Sequence, residues 1–162
     1  MTVVVSDTSV LCYLALIGRL DLLEALFTRV IIPEAVLHEC LHPGAPEALR
    51  NAITPAPPPF LIVEKVDQAM PETAVLDAGE SDAITLAWRH RADSLLLLDE
   101  KRGRAIAVAL GLRVCGILGI VAEAHRRRLL DFDEAIGQLR THGFRIAEAL
   151  LAKARAGLGL KP

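Results

Sequence analysis

Ser94-Leu95-Leu96-Leu97-Leu98-Asp99 decides the fold. Four consecutive leucines leave no polar face. As a strand, this run must be covered on both sides, which is the condition of a central strand in a parallel sheet flanked by helices. The same form opens the chain: Thr2-Val3-Val4-Val5-Ser6-Asp7 is β-branched and closes on an acid. Residues 30–32 and 113–115 read as two brief strands, and residues 61–66 as a peripheral one.

Helical spacing fills the intervals: residues 9–17, 21–27, 33–41, 46–53, 79–91, 101–110, 118–127, 132–141 and 146–156. Pro33 suits a first helical turn, and Gly18 and Gly111 suit helix ends. Pro55-Ala56-Pro57-Pro58-Pro59 is a stiff connector inside the domain. Strands alternating with helices predict a three-layer α/β/α fold with a mainly parallel central sheet and extra helices at the C-terminus.

The chain has 162 residues, which suits one domain. Residues 1–128 read as its core and 129–162 as a helical extension. The composition is 52% hydrophobic with only 4% aromatic residues, and the mean hydropathy is +0.40, as for an aliphatic α/β core. The most apolar stretch, residues 105–122, is split by Arg113. No uncharged run approaches the roughly 18 residues of a spanning helix, and the first residues lack a basic leader pattern. Cys12, Cys40 and Cys115 form no C-x-x-C and sit among aliphatics, as core thiols in a reducing cytoplasm do.

Net charge is −2, and its distribution is uneven. Residues 1–88 carry −8 and residues 89–162 carry +6. An acidic locus facing a basic surface is the implied arrangement.

Asp7 and Asp99 both end strands, at the sheet edge where open α/β folds bind ligands. Either acid alone reads equally as a helix cap. Glu39 follows Val36 by three residues and precedes Cys40, so it borders the apolar stripe of its helix. Glu80 and Asp82 open the helix Gly79-Glu80-Ser81-Asp82-Ala83-Ile84. Residues two apart diverge by about 200° on a helix, so only one of them can face the site. Glu80 is nearer the apolar side, unless the helix starts at Ser81. Three or four carboxylates without His or Cys make a hard oxygen site suited to Mg²⁺ or Mn²⁺.

Glu100-Lys101-Arg102-Gly103-Arg104 puts cations at a helix start, where the dipole favours acids; this suits a phosphate. The chain lacks G-x-x-x-x-G-K-[ST] and G-x-G-x-x-G, which excludes P-loop and dinucleotide readings. Ser9 stands where a phosphatase using Asp7 as nucleophile would carry a second Asp. His38 and His42 have i, i+4 spacing, but no third ligand accompanies them, and the five histidines read as surface groups. Trp88 reads as core.

Four segments in order resemble the PIN-domain nuclease superfamily: Asp7-Thr8-Ser9; Ile32-Pro33-x-x-Val36-x-x-Glu39; Gly79-Glu80-Ser81-Asp82-Ala83-Ile84; and Leu98-Asp99-Glu100-Lys101-Arg102-Gly103-Arg104. Within it the chain is most similar to the DUF3368 branch, which is related to virulence-associated toxin C proteins of toxin–antitoxin pairs. The resemblance spans about residues 1–128. It implies a Mg²⁺/Mn²⁺ site and cleavage of single-stranded RNA. By carry-over Asp7, Glu39, Asp82 and Asp99 hold metal, with Glu80 in competition with Asp82, and Ser9 orients Asp7. Lys101, Arg102 and Arg104 are the phosphate-binding candidates. An antitoxin protein is implied as partner.

The expected function is therefore a cytoplasmic metal-dependent endoribonuclease, a toxin in the family's sense. The aliphatic surplus suggests a homodimer. The alternative is a non-catalytic RNA-binding or partner-binding module, resting on the basic second half and on Arg126-Arg127-Arg128.

Overall fold

A computed structural model describes residues 1–162. Its five strands, β1 (Val3–Ser6), β2 (Val30–Pro33), β3 (Leu61–Glu64), β4 (Ser94–Leu97) and β5 (Val114–Cys115), form one sheet. All neighbours run parallel in the order β3-β2-β1-β4-β5. The leucine run is interior, between β1 and β5, as its lack of a polar face requires. Residues 61–66 shorten to β3 at the sheet edge, where Ile62 and Val63 face solvent.

Nine helices cover the sheet: α1 (Thr8–Leu16), α2 (Leu22–Phe27), α3 (Glu34–Leu41), α4 (Glu47–Ile53), α5 (Ala78–Arg89), α6 (Lys101–Ala109), α7 (Ile117–Arg126), α8 (Phe132–Thr141) and α9 (Glu148–Gly157). Pro33 closes β2 and stands just before α3 rather than inside its first turn.

Strand alternation sorts the side chains into two cores, one on each face of the sheet. Val4, Val30, Ile32 and Leu97 face the larger core, with residues from α1, α2, α3, α4, α7 and α8. Val5, Leu96 and Leu98 face the smaller one, with Ala83, Ile84, Leu86 and Ala87 of α5 and Ala107 of α6. The leucine run thus feeds both cores in turn. Phe132, Ala135, Ile136 and Leu139 of α8 belong to the larger core, so the segment after residue 128 shares the interior of the first 128 residues.

Trp88 is half-buried at the margin of the smaller core, and the Arg91 guanidinium lies 3.9 Å from its ring centroid. The indole packs against that core as expected without being fully enclosed by it, and Arg91, in the short turn after α5, brings a cation over the ring. His125 departs from the surface reading of the histidines. It is partly buried, and its Nδ1 accepts the Phe132 N–H at 3.1 Å, joining α7 to α8. The other four histidines are exposed. The cysteines are free; Cys40 is buried, while Cys12 and Cys115 are half-buried. No helix is long and apolar enough to cross a membrane.

After β1 the chain builds outward through β2 and β3, then crosses back to place β4 on the other side of β1. The switch point lies between β1 and β4. The ligand crevice of such a sheet opens there, beyond the carboxyl ends of the strands.

Candidate metal centre

Asp7 sits in that crevice. Its N–H donates to the Leu97 carbonyl at 3.1 Å, carrying the β1–β4 ladder one residue past Ser6. The chain then turns into α1, and Asp7 Oδ1 accepts the Val10 N–H at 3.1 Å as the helix cap. Oδ2 is buried and has no hydrogen-bond partner. The residue is 1% exposed. Capping and site-forming are therefore divided between the two oxygens of one carboxylate. Burial pushes the Asp7 carboxyl up to about 8, and the charges of Asp99 and Glu80 push the same way, against the backbone N–H groups of Val10 and Ser9. Ser9 thus acts on Asp7 through its main chain, and its hydroxyl makes no hydrogen bond to it.

Asp99 follows β4 and occupies the start of α7. Its Oδ2 accepts the Ile117 N–H at 2.8 Å. Burial raises its carboxyl above the usual range, opposed by that N–H and by Arg104. Arg104 Nη1 donates to the Leu98 carbonyl at 3.0 Å. Gly116 lets these groups meet: a Cβ there would lie 2.5 Å from Asp99 Oδ1 and 2.6 Å from Arg104 Nη1.

Glu39 reaches the crevice from α3, half-buried. Its Oε1 accepts the Gly79 N–H at 2.9 Å, and its Oε2 takes a short hydrogen bond from the Thr8 hydroxyl. The side chain thereby ties α3 to the first residues of α1 and α5.

Helix α5 begins at Ala78, so helix geometry governs both acids in its first turns. Glu80 is 8% exposed. Burial pushes its carboxyl up to about 7, with Asp77, Glu100 and Glu39 adding to the rise. Asp82 is raised by burial alone, and the charge acting on it is Arg89. The structure thus groups Glu80 with Asp7, Glu39 and Asp99, and leaves Asp82 on another side of α5.

Two acids not singled out in the sequence belong to this group. Asp77 caps α5 by accepting the Glu80 N–H at 2.9 Å, and Glu100 caps α6 by accepting the Gly103 N–H at 2.7 Å. Each has the three-residue cap spacing; that spacing alone puts Asp77 beside Glu80, and the fold brings Glu100 there as well. The positive ends of α1, α5, α6 and α7 all point into this acidic region and offset part of its repulsion. Lys101 and Arg102 are exposed at the start of α6, and Arg104 is half-buried.

The set is all oxygen and no thiolate or imidazole, which fits a hard cation such as Mg²⁺ or Mn²⁺. Asp7 Oδ2, buried and unpartnered, is the atom such a cation would satisfy. The group is nonetheless loose: no three His, Cys, Asp or Glu side chains stand close enough to share an ion. The orphaned oxygen weighs more, because a buried polar atom without a partner bears its desolvation cost uncompensated, and a bound cation would offset it.

The other candidate groups stand apart. Helix α3 ends at Leu41, and His42 Nδ1 accepts the Gly44 N–H at 2.9 Å, which spoils the i, i+4 pair with His38. Arg126 and Arg127 both pair with Glu123, so the Arg126-Arg127-Arg128 patch is partly neutralised.

Fold and site define a parallel α/β domain with an acidic centre at the switch point of its sheet. The sequence falls in the same class: the family DUF3368, described as a PIN domain, matches residues 3–159, and the chain belongs to that family. Among solved structures it is similar to a PilT N-terminus domain protein, SSO1118, from the hyperthermophilic archaeon Sulfolobus solfataricus P2. The TM-score is 0.55 at 19% identity, over 76% of this chain and 93% of that one, a likeness of fold. A search of curated proteins finds no match.

Proposed function

We propose that this chain is a divalent-metal-dependent endoribonuclease acting on single-stranded RNA, with Asp7, Glu39, Glu80 and Asp99 as the residues that hold Mg²⁺ or Mn²⁺. The observation that carries the reading is Asp7 Oδ2, a buried carboxylate oxygen without a partner among three further acids. Membership of a PIN-domain family, a nuclease-type fold, supports it. When bound, such an ion activates water and neutralises charge developing on a phosphodiester.

The chain's own residues supply position and charge. Val10 and Ile117 N–H groups fix one oxygen each of Asp7 and Asp99. Thr8 and Gly79 hold Glu39. Glu80, pushed up to about 7, exchanges its proton near neutral pH as a cation arrives. Lys101, Arg102 and Arg104 face the scissile strand with positive charge. Asp82 takes no part.

The test is cleavage of a single-stranded RNA by the purified chain with and without Mn²⁺. Asp7→Asn abolishes cleavage while the circular dichroism of the folded protein is kept. Equal cleavage by the variant overturns the reading. One observation favours the non-catalytic alternative, the spacing of the acids; RNA binding that needs no metal and leads to no turnover would establish it.

A further inference from the structure

Beside Asp99 opens a cleft of about 600 Å³ that joins the acidic centre to the C-terminal extension. Lys101 and Arg104 of α6 line one wall. Phe144, Arg145, Ile146 and Leu150, from the α8–α9 connection and the first turn of α9, line the other. Neither Lys101 nor Arg145 is in a salt bridge, and Asp99 is the one acid on the lining, so the cleft is positively charged. Its walls are otherwise apolar. Phe144 is held in place by an edge-to-face contact with Tyr13, ring centroids 5.1 Å apart. Leu150 is 53% exposed, an aliphatic side chain with nothing of this chain to cover it. The missing side chain of Gly116 keeps the passage from Asp99 into the cleft open.

Cations at the rim and an apolar interior are the two parts of a nucleotide site: phosphate on the first, base against the second. The volume suits one nucleotide and not a duplex. We propose that this cleft is a subsite for the nucleotide adjoining the scissile phosphate of a single-stranded RNA, with Arg145 holding its phosphate and Ile146 and Leu150 receiving its base. The proposal rests on the ribonuclease reading for its substrate class. It goes beyond it in making the extension after residue 128 part of the substrate site.

Arg145 and Leu150 are exposed, so their replacement leaves the fold intact. Binding of a fluorescent single-stranded RNA octamer to the full chain, in chelator, is the measurement. Arg145→Glu weakens it by about tenfold or more and reduces the slope of log affinity against log salt by about one. Octamers carrying a single abasic residue, moved along the strand, show one position where the missing base weakens binding to the wild type. At that position Leu150→Asn is insensitive to the loss. Arg145→Glu binding at wild-type strength, no sensitive abasic position, or duplex RNA bound as tightly as single-stranded overturns the subsite. Cleavage of the same octamer with Mn²⁺ separates the two readings. Arg145-dependent binding without any cleavage retains the subsite and overturns the nuclease. Cleavage with an unchanged KM in Arg145→Glu overturns the subsite and retains the nuclease.

Discussion

The Glu39 carboxylate lies directly on the backbone of Gly79: Oε1 accepts the Gly79 N–H at 2.9 Å, and a Cβ on residue 79 would stand 2.8 Å from the carboxyl carbon of Glu39. The contact joins two segments forty residues apart and sets where one of the four acids can be.

Gly79→Ala tests that contact. Alanine favours the helix by roughly 0.5–1 kcal/mol over glycine. The crowded neighbour is the far end of a flexible side chain, so Glu39 swings aside and loses a hydrogen bond of similar worth. The expected result is an unfolding free energy within about 1 kcal/mol of the wild type, with cleavage reduced at least about tenfold. Urea titration and an RNA cleavage assay read the two quantities. Full activity in Gly79→Ala would remove Glu39 from the site.

Burial of Asp7 also has a pH signature. Its carboxyl is raised from 3.8 to about 8, so between these values the folded protein keeps a proton that the unfolded chain has released. Stability in chelator is therefore greatest below about pH 4 as far as Asp7 is concerned. It falls by roughly 1.4 kcal/mol per pH unit as pH rises toward 8. Asp7→Asn removes this contribution and is more stable than the wild type at pH 8 without metal. Mn²⁺ restores the wild type at that pH and leaves Asp7→Asn unchanged. Thermal melts across pH, with and without Mn²⁺, check each sign; a wild type that gains stability from pH 5 to 8 in chelator contradicts the burial argument.

Glu80 and Asp82 give opposite expectations. Glu80 is nearly buried and feels Asp77, Glu100 and Glu39, whereas Asp82 feels Arg89. Glu80→Gln keeps the shape and loses the charge, so Mn²⁺ affinity by calorimetry and RNA cleavage fall at least about tenfold. Asp82→Asn leaves both within about twofold. The reverse ranking would assign the site to Asp82.

That pair marks where sequence ceases to be enough. The strands β1 and β4 are legible because an aliphatic run closed by Asp has one reading in a parallel sheet, and their ends place Asp7 and Asp99 together. Which acid of α5 faces them depends on the helix phase, which turns on whether α5 starts at Ala78 or Ser81, a difference of three residues. Asp77 and Glu100 read locally as helix caps, which they are. As the cap of α5, Asp77 is beside Glu80 already; Glu100 comes there only when α5 and α6 are brought to one edge of the sheet. Ser9 was expected to orient Asp7, and what the structure places toward that carboxyl is its backbone N–H, because the turn into α1 aims main-chain donors at Asp7.

The C-terminal extension is expected to be inseparable from the core. Phe132 and Leu139 are fully buried, and α8 packs against α7 in the core that also holds Val4 and Leu97. Removing the ring leaves a cavity that the surrounding aliphatic residues fill only in part. Phe132→Ala therefore costs about 3–5 kcal/mol, a large share of the stability of a domain this size. A chain ending at residue 128 would lose the partner of every apolar side chain that α8 covers, and the N–H that His125 Nδ1 accepts. It is expected to be insoluble or unfolded by circular dichroism, while Leu150→Asn, on the exposed side of α9, unfolds at the wild-type midpoint. A stable, cooperative 1–128 fragment would show instead that the PIN fold closes its core before α8, and would make the extension an appendage rather than a wall of the domain.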